Sequence, residues 1–140
     1  AAARAADTDR CPGETTTDER WYSTRSRSRA VTDLAKAGDV VIIGRGANMM
    51  LADVPGVVHI GMWAPLDVRV QTAMDREHFS RQEAEKYVEE LEQARLTFFR
   101  KFFRVNPSDP SLYHVMLNMG KMQPKIAAEV ITHTVDQLGS

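Results

Sequence analysis

The 140 residues suffice for one domain with a modest core, and 43% apolar with 26% charged residues is ordinary for a globular chain. A formal net charge of −1 excludes any global attraction to nucleic acid or anionic membrane, so an electrostatic function must be local. No apolar run approaches the ~20 residues that cross a bilayer, and a single cysteine, Cys11, excludes an internal disulfide and fits a reducing, cytoplasmic compartment.

Residues 1–27 are rich in Ala, Asp, Thr and Arg without apolar periodicity, and are expected to form a flexible leader before a domain spanning 28–140. Ala1–Arg10 lacks the apolar core of a secretory signal, and the missing initiator methionine suggests a processed or incomplete chain. The Arg25-Ser26-Arg27-Ser28-Arg29 run has no interleaved aromatic platform and reads as a solvated lead-in to a helix, not as an RNA contact. From Ser28, Val31, Leu34 and Ala35 suit a short amphipathic helix that Gly38 ends.

Val40-Val41-Ile42-Ile43 is a β-branched run of the kind buried on both faces of a parallel sheet, and Val57 to Trp63 is a second. Pro65 opens a helix to about Arg76 with Leu66, Val70, Ala73 and Met74 inward. Ser80-Arg81-Gln82-Glu83 has capping-box form and starts a helix to about Phe103, with Ala84, Tyr87, Val88, Leu91, Phe98 and Phe102 on one stripe. Leu112 to Asn118 reads as a third strand. A last helix starts near Pro124 and uses Ile126, Val130, Ile131, Val135 and Leu138. This order predicts an alternating α/β fold with parallel pairing and right-handed crossovers.

The sharpest local feature is Gly44-Arg45-Gly46-Ala47-Asn48, directly after a strand. Ligands of open parallel sheets bind at the carboxyl ends of strands. Two glycines permit a tight turn, and Arg45 offers either a planar fork for a phosphate or merely a solvent-facing side chain. Arg95 falls between Leu91 and Phe98 on the inward stripe, so its charged head either snorkels toward Glu92 or sits in a ligand cleft. Arg69 is either a third member of an anion site or an ordinary exposed helix arginine. Arg100, Lys101 and Arg104 form a basic cluster that the helix dipole alone would explain. The histidines 59, 78, 114 and 133 show no metal-ligand spacing, so no metal ligand is expected.

With these residues in place, the chain resembles the cytidylate-kinase-like family of P-loop kinases. The resemblance is carried by Val40 to Asn48, by Pro55-Gly56-Val57-Val58-His59-Ile60, and by Ala64-Pro65-Leu66-Asp67-Val68-Arg69. Further on, Glu92-Gln93-Ala94-Arg95 before Phe98-Phe99 is similar to an acidic-x-x-Arg-x-x-aromatic lid signature, and Leu112 to Asn118 to a last core strand. It implies a three-layer α/β/α parallel sheet of the P-loop nucleoside monophosphate kinase type, incomplete, with a helical lid at about 75–110. It implies transfer of the ATP γ-phosphate, with Mg²⁺, to a nucleoside monophosphate. Arg69 and Arg95 would be catalytic residues meeting phosphates, and Gly44, Arg45, Gly46, Asn48 and Glu92 would bind the acceptor nucleotide.

The family's glycine-rich phosphate loop finds no counterpart among these glycines, Ile43 stands where an acid precedes the Gly-Arg pair, and Glu92 replaces an Asp. The resemblance thus implies a nucleoside monophosphate without naming its base. It also implies a chain inactive or nearly so alone, whose strands at Val40 and Val57 either pair directly or leave edges that favour homo-oligomers. Three classes follow: a nucleotide kinase, a non-catalytic nucleotide- or phosphate-binding module with a kinase-derived fold, and an interaction protein.

Overall fold

The computed structural model describes residues 4–6, 24–44 and 46–139, with backbone alone for 4–6 and 24–28. Cys11, most of the expected leader, the side chains of Arg25 and Arg27, and Arg45 lie outside the described set. The elements run β1 (Arg4–Ala6), α1 (Thr24–Ala37), β2 (Val40–Ile42), α2 (Ala47–Met50), β3 (Ile60–Trp63), α3 (Leu66–Glu77), α4 (Arg81–Phe103), a 3-10 turn (Pro110–Leu112), β4 (Val115–Asn118) and α5 (Pro124–Leu138). They form two compact units, Ala1–Val57 and Val58–Ser140.

In the first unit β1 and β2 pair in parallel, Arg4 opposite Val40 and Ala6 opposite Ile42. β1 falls inside the segment read as a leader; three residues without a β-branched side chain carry no strand pattern that could have been read. Gly38, at φ 72°, and Asp39, at φ 48°, turn the chain sharply from α1 into β2, the glycine amide donating to the Ala35 carbonyl at 3.2 Å. The expectation that the Val40–Ile43 run is buried on both faces is corrected: Val41 is 49% and Ile43 63% exposed. Such a run is buried twice only where helices cover both faces, and these two side chains lack that cover.

In the second unit β3 and β4 pair in parallel, from Ile60 opposite Val115 to Trp63 opposite Asn118. Of the two expectations for the strands at Val40 and Val57, direct pairing is not found: Val40–Ile42 pairs with β1 and Ile60–Trp63 with β4. β3 is shorter than the expected Val57–Trp63, and Leu112 lies in the 3-10 turn, where the Asp109 carboxylate accepts from the Ser111 amide at 2.9 Å. At the mouth of the pair the His114 amide donates to the His59 carbonyl at 2.8 Å, and the His59 amide to His114 Nδ1 at 2.9 Å. A side-chain nitrogen thus takes the place of a ladder carbonyl as acceptor.

The α3–α4 hairpin holds the core of this unit: Val70, Ala73, Ala84 and Val88 are buried, with Met74, Phe79 and Tyr87 packed against them. The Phe79 and Tyr87 rings meet edge-on at 5.3 Å. Inward assignments are corrected at Leu66, Leu91, Ile126, Val135 and Leu138, which are exposed, as is Leu34 in α1, while Ala127 is buried in α5 and Phe99 in α4. Helical period places a stripe to within about one position, and tertiary neighbours choose which flank is covered.

The capping box is complete: the Glu83 amide donates to Ser80 Oγ at 3.3 Å, and the Ser80 amide to Glu83 Oε2 at 2.8 Å. Chiefly the Ser80 backbone amide, and then its side chain, hold the Glu83 carboxyl below the ordinary glutamate range. A group depressed in the folded state stabilises above its unfolded pKa, and that contribution is lost as pH falls through the folded value. A carboxyl-carbon NMR titration should therefore find Glu83 with a lower midpoint in the folded protein than in urea; equal midpoints would refute the box in solution. Ser80→Ala should cost about 1 kcal/mol in urea unfolding.

Candidate functional site

Helices α3 and α4 bring Arg69 and Glu92 together, and the i,i+3 spacing on α4 adds Arg95. Arg69 Nη1 lies 3.5 Å from Glu92 Oε2, and Arg95 Nη1 lies 3.5 Å from Glu92 Oε1. One carboxylate thus bridges two guanidiniums, one per oxygen, and leaves the cluster with a local charge of one positive unit. The side chains of Arg69, Glu92 and Arg95 are 38%, 33% and 40% exposed. Arg69 Nε is buried without an acceptor among the described residues.

The second fork of Arg95 is held from the opposite side. Arg95 Nη2 donates to the Pro107 carbonyl at 3.2 Å, and the Tyr113 hydroxyl donates to the same oxygen at 2.7 Å. Pro107 is fully buried, so this carbonyl is an immobile acceptor. Arg95 is thus tied to Glu92, one of the two readings its place in the sequence allowed. Tyr113→Phe should lose about 0.5–1.5 kcal/mol in urea unfolding, and an unchanged midpoint would show that Arg95 alone holds the Pro107 loop.

Gly61, Met62, Trp63, Ala64, Arg69, Glu92, Arg95 and Tyr113 line a cavity of about 300 Å³ beside the carboxyl end of β3, together with Ser108 and Met116. A Cβ at Gly61 would come within 3.1 Å of both the Tyr113 Cγ and the Met116 Cγ, so a larger residue there would have to displace one of these side chains. A parallel strand end beside a helix pair is where α/β folds place ligands, and the mouth of this cavity carries the cationic cluster.

The bridge is weak enough to be exchanged. Ion pairs this exposed contribute about 0.2–1 kcal/mol, whereas a hydrogen bond to a charged group contributes about 1.5–3 kcal/mol. Glu92 offsets the repulsion between the two arginines.

The remaining sequence candidates belong to the first unit. Gly44 has φ 78° with open space where a Cβ would stand, and the buried Gly46, at φ 73°, caps the short α2. Asn48 Nδ2 is buried without a hydrogen-bond acceptor among the described residues. Arg100, Lys101 and Arg104 stay exposed at the end of α4 and do not line the cavity. Sequence reasoning missed Trp63, Tyr113 and the Pro107 carbonyl. Of these, only Trp63 gave a signal, a large aromatic at the carboxyl end of a strand; a backbone carbonyl gives none.

No described helix is long and apolar enough to cross a membrane, and no three described His, Cys, Asp or Glu side chains group as metal ligands. The cytidylate kinase of Methanopyrus kandleri is 27% identical over 118 residues, covering 79% of this chain and 61% of that protein. That of Methanocaldococcus jannaschii is 26% identical over 112 residues, covering 79% and 63%. A crystal structure of an uncharacterised protein from Eubacterium ventriosum superposes with a TM-score of 0.73 at 19% identity, over 79% of this chain and 63% of that one. It supports the incomplete α/β kinase-like fold and, at that identity, nothing more. The chain spans about three fifths of the length of these two cytidylate kinases. The model of the cytidylate kinase-like family matches residues 2–121, starting inside the segment read as a leader and stopping short of the last helix's end. The chain belongs to the cytidylate kinase-like family.

Proposed function

We propose that this chain carries the acceptor side of a nucleoside monophosphate kinase, with Arg69 and Arg95 receiving the acceptor's phosphate. The observation that supports this reading is the single carboxylate of Glu92 holding two guanidiniums at 3.5 Å on the wall of the strand-end cavity. Phosphoryl transfer depends mainly on positioning and charge neutralisation, and two half-exposed guanidiniums anchored on rigid helices supply both. Glu92 spaces them and is displaced in part when the phosphate arrives. On the same reading the α3–α4 hairpin closes over the acceptor to exclude water.

ATP as donor, with Mg²⁺, belongs to this proposal through the family. The described residues do not fit a magnesium site of their own. Magnesium takes carboxylates and phosphate oxygens in octahedral geometry, and the cavity's one carboxylate is already shared by two guanidiniums.

A second reading is a nucleotide-binding module without chemistry, in which the same guanidiniums hold a phosphate that is not transferred. Titration with a panel of nucleoside monophosphates, followed by a phosphoryl-transfer assay with ATP, separates the readings. The kinase reading expects binding that drops in Arg95→Ala and little turnover by the 140 residues alone. Binding with no turnover even when the rest of the kinase is supplied would favour the module, and no binding at all would end both.

A further inference from the structure

We infer that Trp63 is the platform on which this site stacks a planar aromatic ring, so that the cavity takes a phosphate monoester bearing a heteroaromatic base and discriminates it from a bare sugar phosphate. The inference rests on the reading of Arg69, Glu92 and Arg95 as the phosphate end of the site, and it adds the other end.

Trp63 is the last residue of β3 and lines the cavity that the two arginines line. Its backbone is fixed: it stands opposite Asn118 in the ladder, and its carbonyl accepts from the Met119 amide at 2.8 Å. The side chain is nevertheless 48% exposed. An indole on a strand end paired in the ladder, half exposed in a cavity wall that also carries two guanidiniums, offers a ligand a π-face.

The other aromatic in the wall is already committed. The Tyr113 hydroxyl is held by the Pro107 carbonyl, and its ring lies against Gly61. Trp63 makes no ring contact among the described residues. Met62, beside it in the same wall, is 56% exposed but has no π-face to offer.

A base stacked on an aromatic side chain gains substantial affinity with little preference among bases, because every base presents a π-face. Trp63 would therefore separate nucleotides from sugar phosphates without choosing between pyrimidine and purine. The cavity volume of about 300 Å³ lies at the small end for ligand clefts, which suits a mononucleotide better than a dinucleotide.

The test uses Trp21→Phe, which leaves Trp63 as the sole indole of the two in the chain. Cytidine and adenosine 5′-monophosphates, ribose 5-phosphate and inorganic phosphate are titrated by fluorescence and by calorimetry. Calorimetry on the chain with both tryptophans gives the same comparison should Trp21→Phe fail to fold. Both nucleotides should shift the indole emission, and ribose 5-phosphate should not. Trp63→Ala should weaken nucleotide binding by roughly tenfold or more, leave ribose 5-phosphate unchanged, and be largely rescued by Trp63→Phe. Equal losses for nucleotide and sugar phosphate, or none for either, would overturn the stacking role while an intact effect of Arg95→Ala kept the phosphate site. Failure of every phosphate ligand to bind the unmodified chain would overturn both.

Discussion

Arg95→Ala is expected to weaken nucleoside monophosphate binding by roughly 10- to 150-fold, the equivalent of one lost hydrogen bond to a charged phosphate. The same variant should change folding stability little, because the Glu92 contact is long and partly exposed and Tyr113 still holds the Pro107 carbonyl. Arg95→Lys should recover only a small part of the loss. A lysine keeps the charge but not the fork, and cannot present one nitrogen to Pro107 while offering another to Glu92 or a phosphate. A double-mutant cycle with Glu92→Gln, read by calorimetry, should show coupling, since both side chains belong to one cluster. Affinity within twofold of the unmodified chain would sink the assignment of Arg95.

Leu117→Ala should have the largest effect on stability, about 2–5 kcal/mol by urea unfolding. Leu117 is the buried residue of β4, 3% exposed, and it stands opposite Met62 in the parallel ladder. Truncating it leaves a void that the strand pair closes only partly. Met62→Ala, on the exposed side chain across the ladder, should cost less than about 1 kcal/mol. Comparable losses in the two variants would mean that the β3–β4 pair is not packed as described. Because β3 carries Gly61, Met62 and Trp63 into the cavity wall, loosening β4 should also lower ligand affinity, which the Met62 comparison separates from a direct contact.

Much of the local structure was legible. The capping box at Ser80–Glu83 appeared as a four-residue pattern and formed as such, since its donors and acceptors all lie within one turn. The prolines at 65 and 124 marked helix starts, and Gly38 marked a helix end, through backbone geometry that each residue carries with it. The pairing of Arg95 with Glu92 followed from helical spacing alone. β1 was not legible, because three residues with small or charged side chains become a strand only when β2 supplies the ladder. The exposure of Val41, Ile43 and Trp63 was equally hidden, since composition says what a side chain would prefer and not whether anything covers it.

Sequence by itself determined the order of the elements, the turns between them and which residue types could meet an anion, because these depend on dihedral preferences, hydrogen-bond donors and period over a few residues. Only tertiary structure decided that Arg69 reaches the same carboxylate as Arg95 from another helix, that a buried proline carbonyl anchors Arg95, and that a half-exposed indole stands in the same cavity wall. Those contacts join residues 12 to tens of positions apart, and what brings such residues together is the packing of α3 on α4 and of β3 beside β4, which no local pattern encodes.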